Sequence, residues 1–379
     1  MLSRALVALA LLGALSGACS VETPAGPPAP AAPAEEPAPS AETPASDPAC
    51  DAETKKLQKG LDAAHDEDIS AVLAVKTPAC GVRVLTSGAH APAPTALHRI
   101  GSVTKTYVGA VVIGLAREGK LSLDDAIAKF DLGVPNGEKI TVSHLLHHTS
   151  GLFNYTDDET LLGEALTQGK SFTPAALVAV AVSHDPYFAP GTSWRYSNTN
   201  FILLGMIAEK VSGSKIGALV RARVLDEVGL AATFFEGEEP LGGELAPGFS
   251  KTGKELTHAY GPTWSWSAGA MVASPADVVT WAEALGSGSY YGGETQKTVL
   301  ETVPTGDGAT SYGLAVMVFD AKITGGMGRG IGHSGDIPGY HTQAFHFPEK
   351  KTTIVAIVDS DGASPNAVTV AALEVLAPR

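Results

Sequence analysis

Three short strings hold, in chain order, the residue types an acyl transfer needs: Ser102-Val103-Thr104-Lys105, Tyr196-Ser197-Asn198 and His333-Ser334-Gly335. A serine hydroxyl is a weak nucleophile until a neighbouring base takes its proton. A serine and a lysine three apart on a helix share one face, so the Lys105 amine can reach the Ser102 hydroxyl. Tyr196 offers a second proton carrier. His333 and the Ser334-Gly335 pair suit a strand along which a substrate backbone can lie. A serine at a helix start also has free backbone N–H groups and the positive end of the helix dipole beside it.

Each string alone is weak, as two copies elsewhere show. Ser212-Gly213-Ser214-Lys215 repeats the serine–lysine spacing, but it follows the helical run Phe201 to Val211 and reads as a glycine C-cap. Lys251-Thr252-Gly253 lies in a polar turn, not on a late strand. Ser102 instead opens a run with apolar residues at Val103, Tyr107, Val108, Val111, Val112 and Leu115, a helix period.

The elements that must position these groups divide the chain. Ser70 to Lys76 and Val82 to Thr86 read as strands around Pro78-Ala79-Cys80-Gly81, after a first helix over Ala52 to His65. From Leu121 to about Leu230 the pattern is helical, with segments at Ser143–His147, Pro174–Ser183, Asn200–Val211 and Ile216–Val228. Pro275 to Leu285 is a further helix, capped by Ser274 with Pro275 in its first turn. The last third alternates in strand fashion over Tyr312–Phe319, Gly330–Ser334, Tyr340–Phe347 and Thr352–Val358, and Pro365 to Leu376 closes as a helix. Strands at both ends with helices between predict an α+β fold. One antiparallel sheet is built from both termini and flanked by helices, and an all-helical lobe is inserted at about 121–250.

Residues 1–19 read as an export signal: Arg4, an apolar run from Ala5 to Leu15, then Leu15-Ser16-Gly17-Ala18-Cys19. Small residues before a cysteine resemble a lipobox, which would make Cys19 a lipid anchor; ordinary cleavage after Ala18 is the alternative. Residues 20–48, nearly all Pro, Ala, Glu, Ser and Thr, cannot bury a core and read as a tether to a body at 50–379. The expected location is therefore the cell envelope, on the periplasmic or extracellular face. There the remaining cysteines, Cys50 and Cys80, would form a disulfide. The net charge of −14 argues against a nucleic-acid partner.

Together the segments Arg99 to Tyr107, Leu145-Leu146-His147-His148-Thr149-Ser150-Gly151-Leu152, Trp194 to Phe201, Trp264 to Gly269 and Gly332 to Gly335 resemble the serine penicillin-recognising enzymes. Within that group they are most similar to class C β-lactamases and secreted D-alanyl-D-alanine carboxypeptidases. The resemblance runs through residues 60 to 375 and implies the β-lactamase/D,D-peptidase fold with no metal or organic cofactor. It implies Ser102 as the acylated nucleophile, with Lys105 and Tyr196 sharing proton transfers and the formal base left open. Asn198 would bond a substrate amide, and His333 would donate or serve the second transfer. The oxyanion hole would be the N–H groups of Ser102 and Asp336, just after Gly335. Trp264 would line the pocket, with Asn154 and Tyr155 near the cleft. His144, His147 and His148 would be structural, and Asp124 and Asp125 would cap a helix start. The implied substrate is a small molecule or peptide, including a peptidoglycan stem peptide.

The chain departs from that pattern at the carboxylate-binding end. Gly313 to Asp320 has no arginine, Arg329 is the nearest substitute, and Asp336 stands where a hydroxyl residue is usual. An acidic group there repels a carboxylate and attracts an amine. A D-aminopeptidase or an esterase is therefore the rival within the same chemistry, and a catalytically silent wall-peptide receptor is the rival outside it.

Overall fold

Residues 47–377 are described by a computed structural model; the signal, Cys19 and the tether up to residue 46 lie outside them. The strands are β1 (Ala71–Thr77), β2 (Gly81–Ser87), β3 (His98–Arg99), β4 (Thr233–Phe235), β5 (Met271–Ala273), β6 (Val303–Pro304), β7 (Thr310–Tyr312), β8 (Met317–Phe319), β9 (Gly330–Ile337), β10 (Tyr340–Phe347) and β11 (Thr352–Val358). Eight form one antiparallel sheet in the order β2-β1-β11-β10-β9-β8-β7-β6, so the first two strands lie beside the last, as the pattern at the two ends implies. The expected α+β class is the one observed.

At its centre this sheet is buried on both faces, which is why β1 and β11 read as continuous apolar runs. Val72, Ala74, Val355 and Ile357 face the main core and the Pro275–Ser287 helix, while Leu73, Val75, Ile354 and Ala356 face the Pro48–Ala63 and Pro365–Leu376 helices. Leu57 and Leu61 of the first helix are almost fully buried there, each contributing roughly 1.5–3 kcal/mol. That helix starts earlier than its sequence suggests. Asp47 caps it by accepting the Ala49 N–H at 2.8 Å, and Pro48 occupies the first turn, where a missing N–H costs nothing. Cys50 and Cys80 are bonded, joining this helix to the β1–β2 turn.

Three expectations need correction. Tyr312–Phe319 is two strands rather than one: β7 and β8 are paired antiparallel through a buried turn in which Gly313 leaves no room for a β-carbon beside Val299 O and Ala315 takes φ +62°. The Asp124–Asp125 pair starts no helix. Asp125 caps a turn by accepting the Ser122 N–H, and a 3₁₀ turn over Ile127–Phe130 follows. The 121–250 span is not all helical: its helices, joined by loops, end at Val228, and β4 then joins β5 and β3 in a small second sheet that the sequence did not signal.

That small sheet aims the site. β3 runs directly into the Gly101–Val103 turn and the Thr104–Arg117 helix, which is buried on nearly every side. Ile100 N–H bonds Met271 O at 3.1 Å and Thr104 Oγ1 accepts the Met271 N–H at 3.0 Å, locking the turn to β5. Arg99, 3% exposed, braces β3 with a bidentate pair to Glu236 at 2.8 and 2.7 Å and a bond to Thr257 O.

Candidate active site

The three strings meet. Lys105 Nζ is fully buried and lies 2.8 Å from Ser102 Oγ, 2.7 Å from Asn198 Oδ1 and 2.7 Å from Ala268 O. Burial pushes its pKa well below 10.5, against an opposing pull from Asp336. A neutral amine in this setting donates to Asn198 and Ala268 and accepts from the Ser102 hydroxyl. The rings of Tyr196 and Phe201 lie 4.9 and 5.5 Å from Nζ, faces that favour an ammonium there.

Tyr196 keeps part of its surface open to the cleft. Burial raises its hydroxyl pKa well above 10, only partly offset by a hydrogen bond with Ser102. It is a phenol rather than a phenolate, suited to relaying a proton and not to taking the first one.

Two backbones come into contact at the candidate oxyanion site. A β-carbon on Gly335 would lie 2.0 Å from Ile100 O and 3.0 Å from Ser102 N, and one on Gly101, at φ +50°, would lie 2.8 Å from Asp336 N. Only glycine permits this approach. Pro338-Gly339 turns β9 into β10, with Ile337 opposite Tyr340 as the closing pair. Ladder alternation makes Asp336–His341 a non-hydrogen-bonded pair, so the Asp336 N–H points away from β10. The backbones carrying the Ser102 and Asp336 N–H groups thus lie side by side, the pair that the family resemblance implies for an oxyanion.

Asn198, at the start of the Asn198–Ser212 helix, is held on three sides. Its N–H donates to Asn154 Oδ1 at 2.9 Å, its Nδ2 to Thr156 Oγ1 at 3.0 Å, and its Oδ1 accepts from Lys105. Asn154 also donates to Asp157 at 2.8 Å. Asn198 therefore positions Lys105 as much as it faces a substrate. Thr156 was not read from the sequence, since a lone threonine after a loop aromatic carries no pattern.

His333 is buried, and both ring nitrogens are engaged. Nδ1 lies 2.5 Å from Ser334 O and Nε2 lies 2.7 Å from the Tyr312 hydroxyl. A carbonyl only accepts, so Nδ1 carries the proton and Tyr312 donates to Nε2. Burial and the nearby Lys105 lower its pKa to about 3, so the ring is neutral. Its place is beside Tyr196, at 6.3 Å between ring centres, where it supports the site wall. Tyr312 was legible only as a strand residue.

Trp264 is 8% exposed and packs in the wall against Tyr260, its carbonyl accepting the Tyr155 hydroxyl at 2.6 Å. The three histidines serve the scaffold. His144 completes a capping box with Thr141, His147 bonds Glu301 O at 2.9 Å, and buried His148 accepts from Ser197 N and Asn200 Nδ2. Ser212 ends its helix at Gly213 in the left-handed region, and Lys251-Thr252-Gly253 is an exposed turn. Arg329 pairs with Glu349 at 3.7 Å and lines a separate groove with Pro304 and Phe319, so it does not serve this site.

A nucleophile bonded to a buried amine, beside a phenol and a two-N–H pocket, defines a serine acyl-transfer site, and the fold around it is that of a known group. The beta-lactamase family profile matches residues 71–377, and the chain belongs to that family of serine hydrolases, which includes penicillin-binding protein homologues. It is similar to penicillin-binding protein 4* of Bacillus subtilis (strain 168), 22% identical over 302 residues, and spans 61% of that relative's length. A D-stereospecific amidohydrolase from Streptomyces sp. superposes with a TM-score of 0.76 at 29% identity, over 83% of this chain and 97% of that one. A D-amino acid amidase from Ochrobactrum anthropi SV3, complexed with D-phenylalanine, superposes with a TM-score of 0.77 at 21% identity, over 85% and 99%, a likeness of fold.

Proposed function

We propose that this chain is a serine amidohydrolase acting on D-amino-acid amides and short D-peptides with a free amino group, through an acyl-enzyme on Ser102. The observation that carries the substrate class is the charge at the mouth. Asp336 is a carboxylate with its side chain 75% exposed near the end of β9, and the adjoining turn and β8 hold no arginine. This end suits an ammonium and repels a carboxylate. The amidohydrolase at 29% identity supports the same reading.

Ser102 Oγ adds to the amide carbonyl as its proton passes to the Lys105 amine, and the oxyanion lies between the N–H groups of Ser102 and Asp336. The leaving amine takes its proton through Tyr196, the C–N bond breaks, and water then cleaves the ester by the reverse relay. One oxyanion donor is worth about 10²–10³ in rate, and positioned proton transfer about 10²–10⁴. The Cys50–Cys80 bond supports an exported setting, in which stem-peptide fragments would be within reach.

The test measures hydrolysis of D-phenylalanine amide by the full chain, with benzylpenicillin and a D-alanyl-D-alanine peptide in parallel. Amide turnover that vanishes in Ser102→Ala is the expected result. Turnover of the D-alanyl-D-alanine peptide with none of the amide would overturn the substrate class, and a penicilloyl adduct with neither activity would favour a silent receptor.

A further inference from the structure

β9 and β10 carry a charge cluster that the acyl-transfer steps do not use. Asp336 and His341 are a cross-strand pair, with Asp336 Oδ1 at 2.6 Å from His341 Nδ1. The other ring nitrogen, Nε2, lies 3.2 Å from Asp361 Oδ1, which also accepts the Gly339 N–H at 2.6 Å. An ionised carboxylate can only accept. A histidine bonded to carboxylates through both nitrogens must donate from both, so the ring in this arrangement is an imidazolium.

The charged surroundings are few. Asp336 faces the ring from β9 and Asp361 from the segment after β11. Exposed Lys251 lies on the turn whose backbone packs against Gly362, and Tyr340 is engaged instead with Arg99, 5.8 Å from its ring. Burial lowers the His341 pKa, but the two carboxylates outweigh it and the net shift is upward from 6.5. Asp336 is felt across the site, since its charge opposes burial at Lys105 and His333 and adds to the upward push of burial at Tyr196.

On the amine-recognition reading above, we propose that His341, braced by Asp361, is the specificity-setting partner of Asp336. While the ring is charged it occupies the Asp336 carboxylate; when it loses the Nδ1 proton and keeps the Nε2 proton on Asp361, the Asp336 carboxylate is released to pair with a substrate ammonium. Asp336 contacts the substrate; His341 and Asp361 are positioning residues. Selectivity for a free amine thus rises with pH through the His341 titration, separately from the chemistry at Ser102.

The experiment compares kcat/KM for D-phenylalanine p-nitroanilide and its N-acetyl analogue from pH 5 to 7.5, using the full chain. Wild type is compared with Asp336→Asn, His341→Gln and Asp361→Asn at each pH, so that the substrate amine's own titration cancels. The free-amine preference of the wild type is expected to rise about fivefold more than that of His341→Gln across the range, mostly through KM. Asp361→Asn is expected to move the midpoint to lower pH, and it serves as the informative variant if His341→Gln does not fold. If Asp336→Asn leaves the preference unchanged, amine recognition itself fails. If Asp336→Asn abolishes it while the His341→Gln and Asp361→Asn profiles overlay wild type, the role of His341 alone is overturned.

Discussion

His333 and His341 sit on adjacent antiparallel strands, and their neighbours leave one ring neutral and make a cation of the other. His333 is buried, donates to a backbone carbonyl and receives from a phenol, and stays neutral. His341 is partly exposed, lies between two carboxylates and is held as a cation. The difference divides the site. Its dry side, around Ser102, Lys105, Tyr196 and His333, keeps proton carriers in their neutral forms so that protons can move. Its wet side, at Asp336, keeps charge in view of the substrate. Residue type set neither role; the donors and acceptors packed around each ring did.

The contrast breaks most completely at Lys105. Lys105→Met removes the amine bonded to Ser102, Asn198 and Ala268, and kcat should fall by about 10³ or more for every substrate tried, charged or neutral. A loss confined to amine-bearing substrates would mean that the two sides are not separate. Gly335→Ala comes next. Its methyl would collide with Ile100 O and crowd the Ser102 N–H, so a kcat loss of about 10²–10³ is expected with little change in pH profile. Steady-state kinetics on a neutral ester reads both.

The smallest expected effect sharpens the contrast through stability. Unfolded His333 takes a proton below about 6.5, which the folded ring refuses until about 3. The unfolded chain therefore binds more protons in that window, and acidification removes up to about 1.4 kcal/mol of stability per pH unit from this group. His341 works with the opposite sign: its contribution is present below 6.5 and lost as pH rises through its raised value. Tyr312→Phe leaves the His333 Nε2 without a donor and should cost about 1–3 kcal/mol at pH 7. Urea unfolding at pH 4.5 and 7 measures both effects, and a Tyr312→Phe variant as stable as wild type would count against the assigned tautomer.

Much of this was legible in the sequence because it rests on local periodicity. The helix opened by Ser102, the alternation in Tyr340–Phe347 and Thr352–Val358, and the Pro-started helix at Pro365 all follow from short-range patterns. What was missed depends on partners distant in sequence. β3, β4 and β5 are two or three residues each and exist only by pairing with partners distant in sequence, His98 with Ala273 and Thr233 with Ala273. The Tyr312–Phe319 turn reads as a strand because its break comes from contacts with Val299 and Leu146. Among site residues, Ser102, Lys105, Tyr196 and Asn198 were found by motif and converge. Thr156, Tyr312, His341 and Asp361 carry no motif and became visible only once the fold set Thr156 beside Asn198, Tyr312 beside His333, and His341 with Asp361 beside Asp336.

The Cys50–Cys80 bond has a mechanical consequence. The chain before residue 47 enters the fold at the Pro48–Ala63 helix, three residues ahead of Cys50. A pull from that side could otherwise unzip the helix turn by turn and bare the sheet face it covers. The covalent link instead passes the tension to Cys80 and so into β1 and β2, whose paired backbones must slide past one another together before anything yields. The core over which the helix lies is thereby shielded from force.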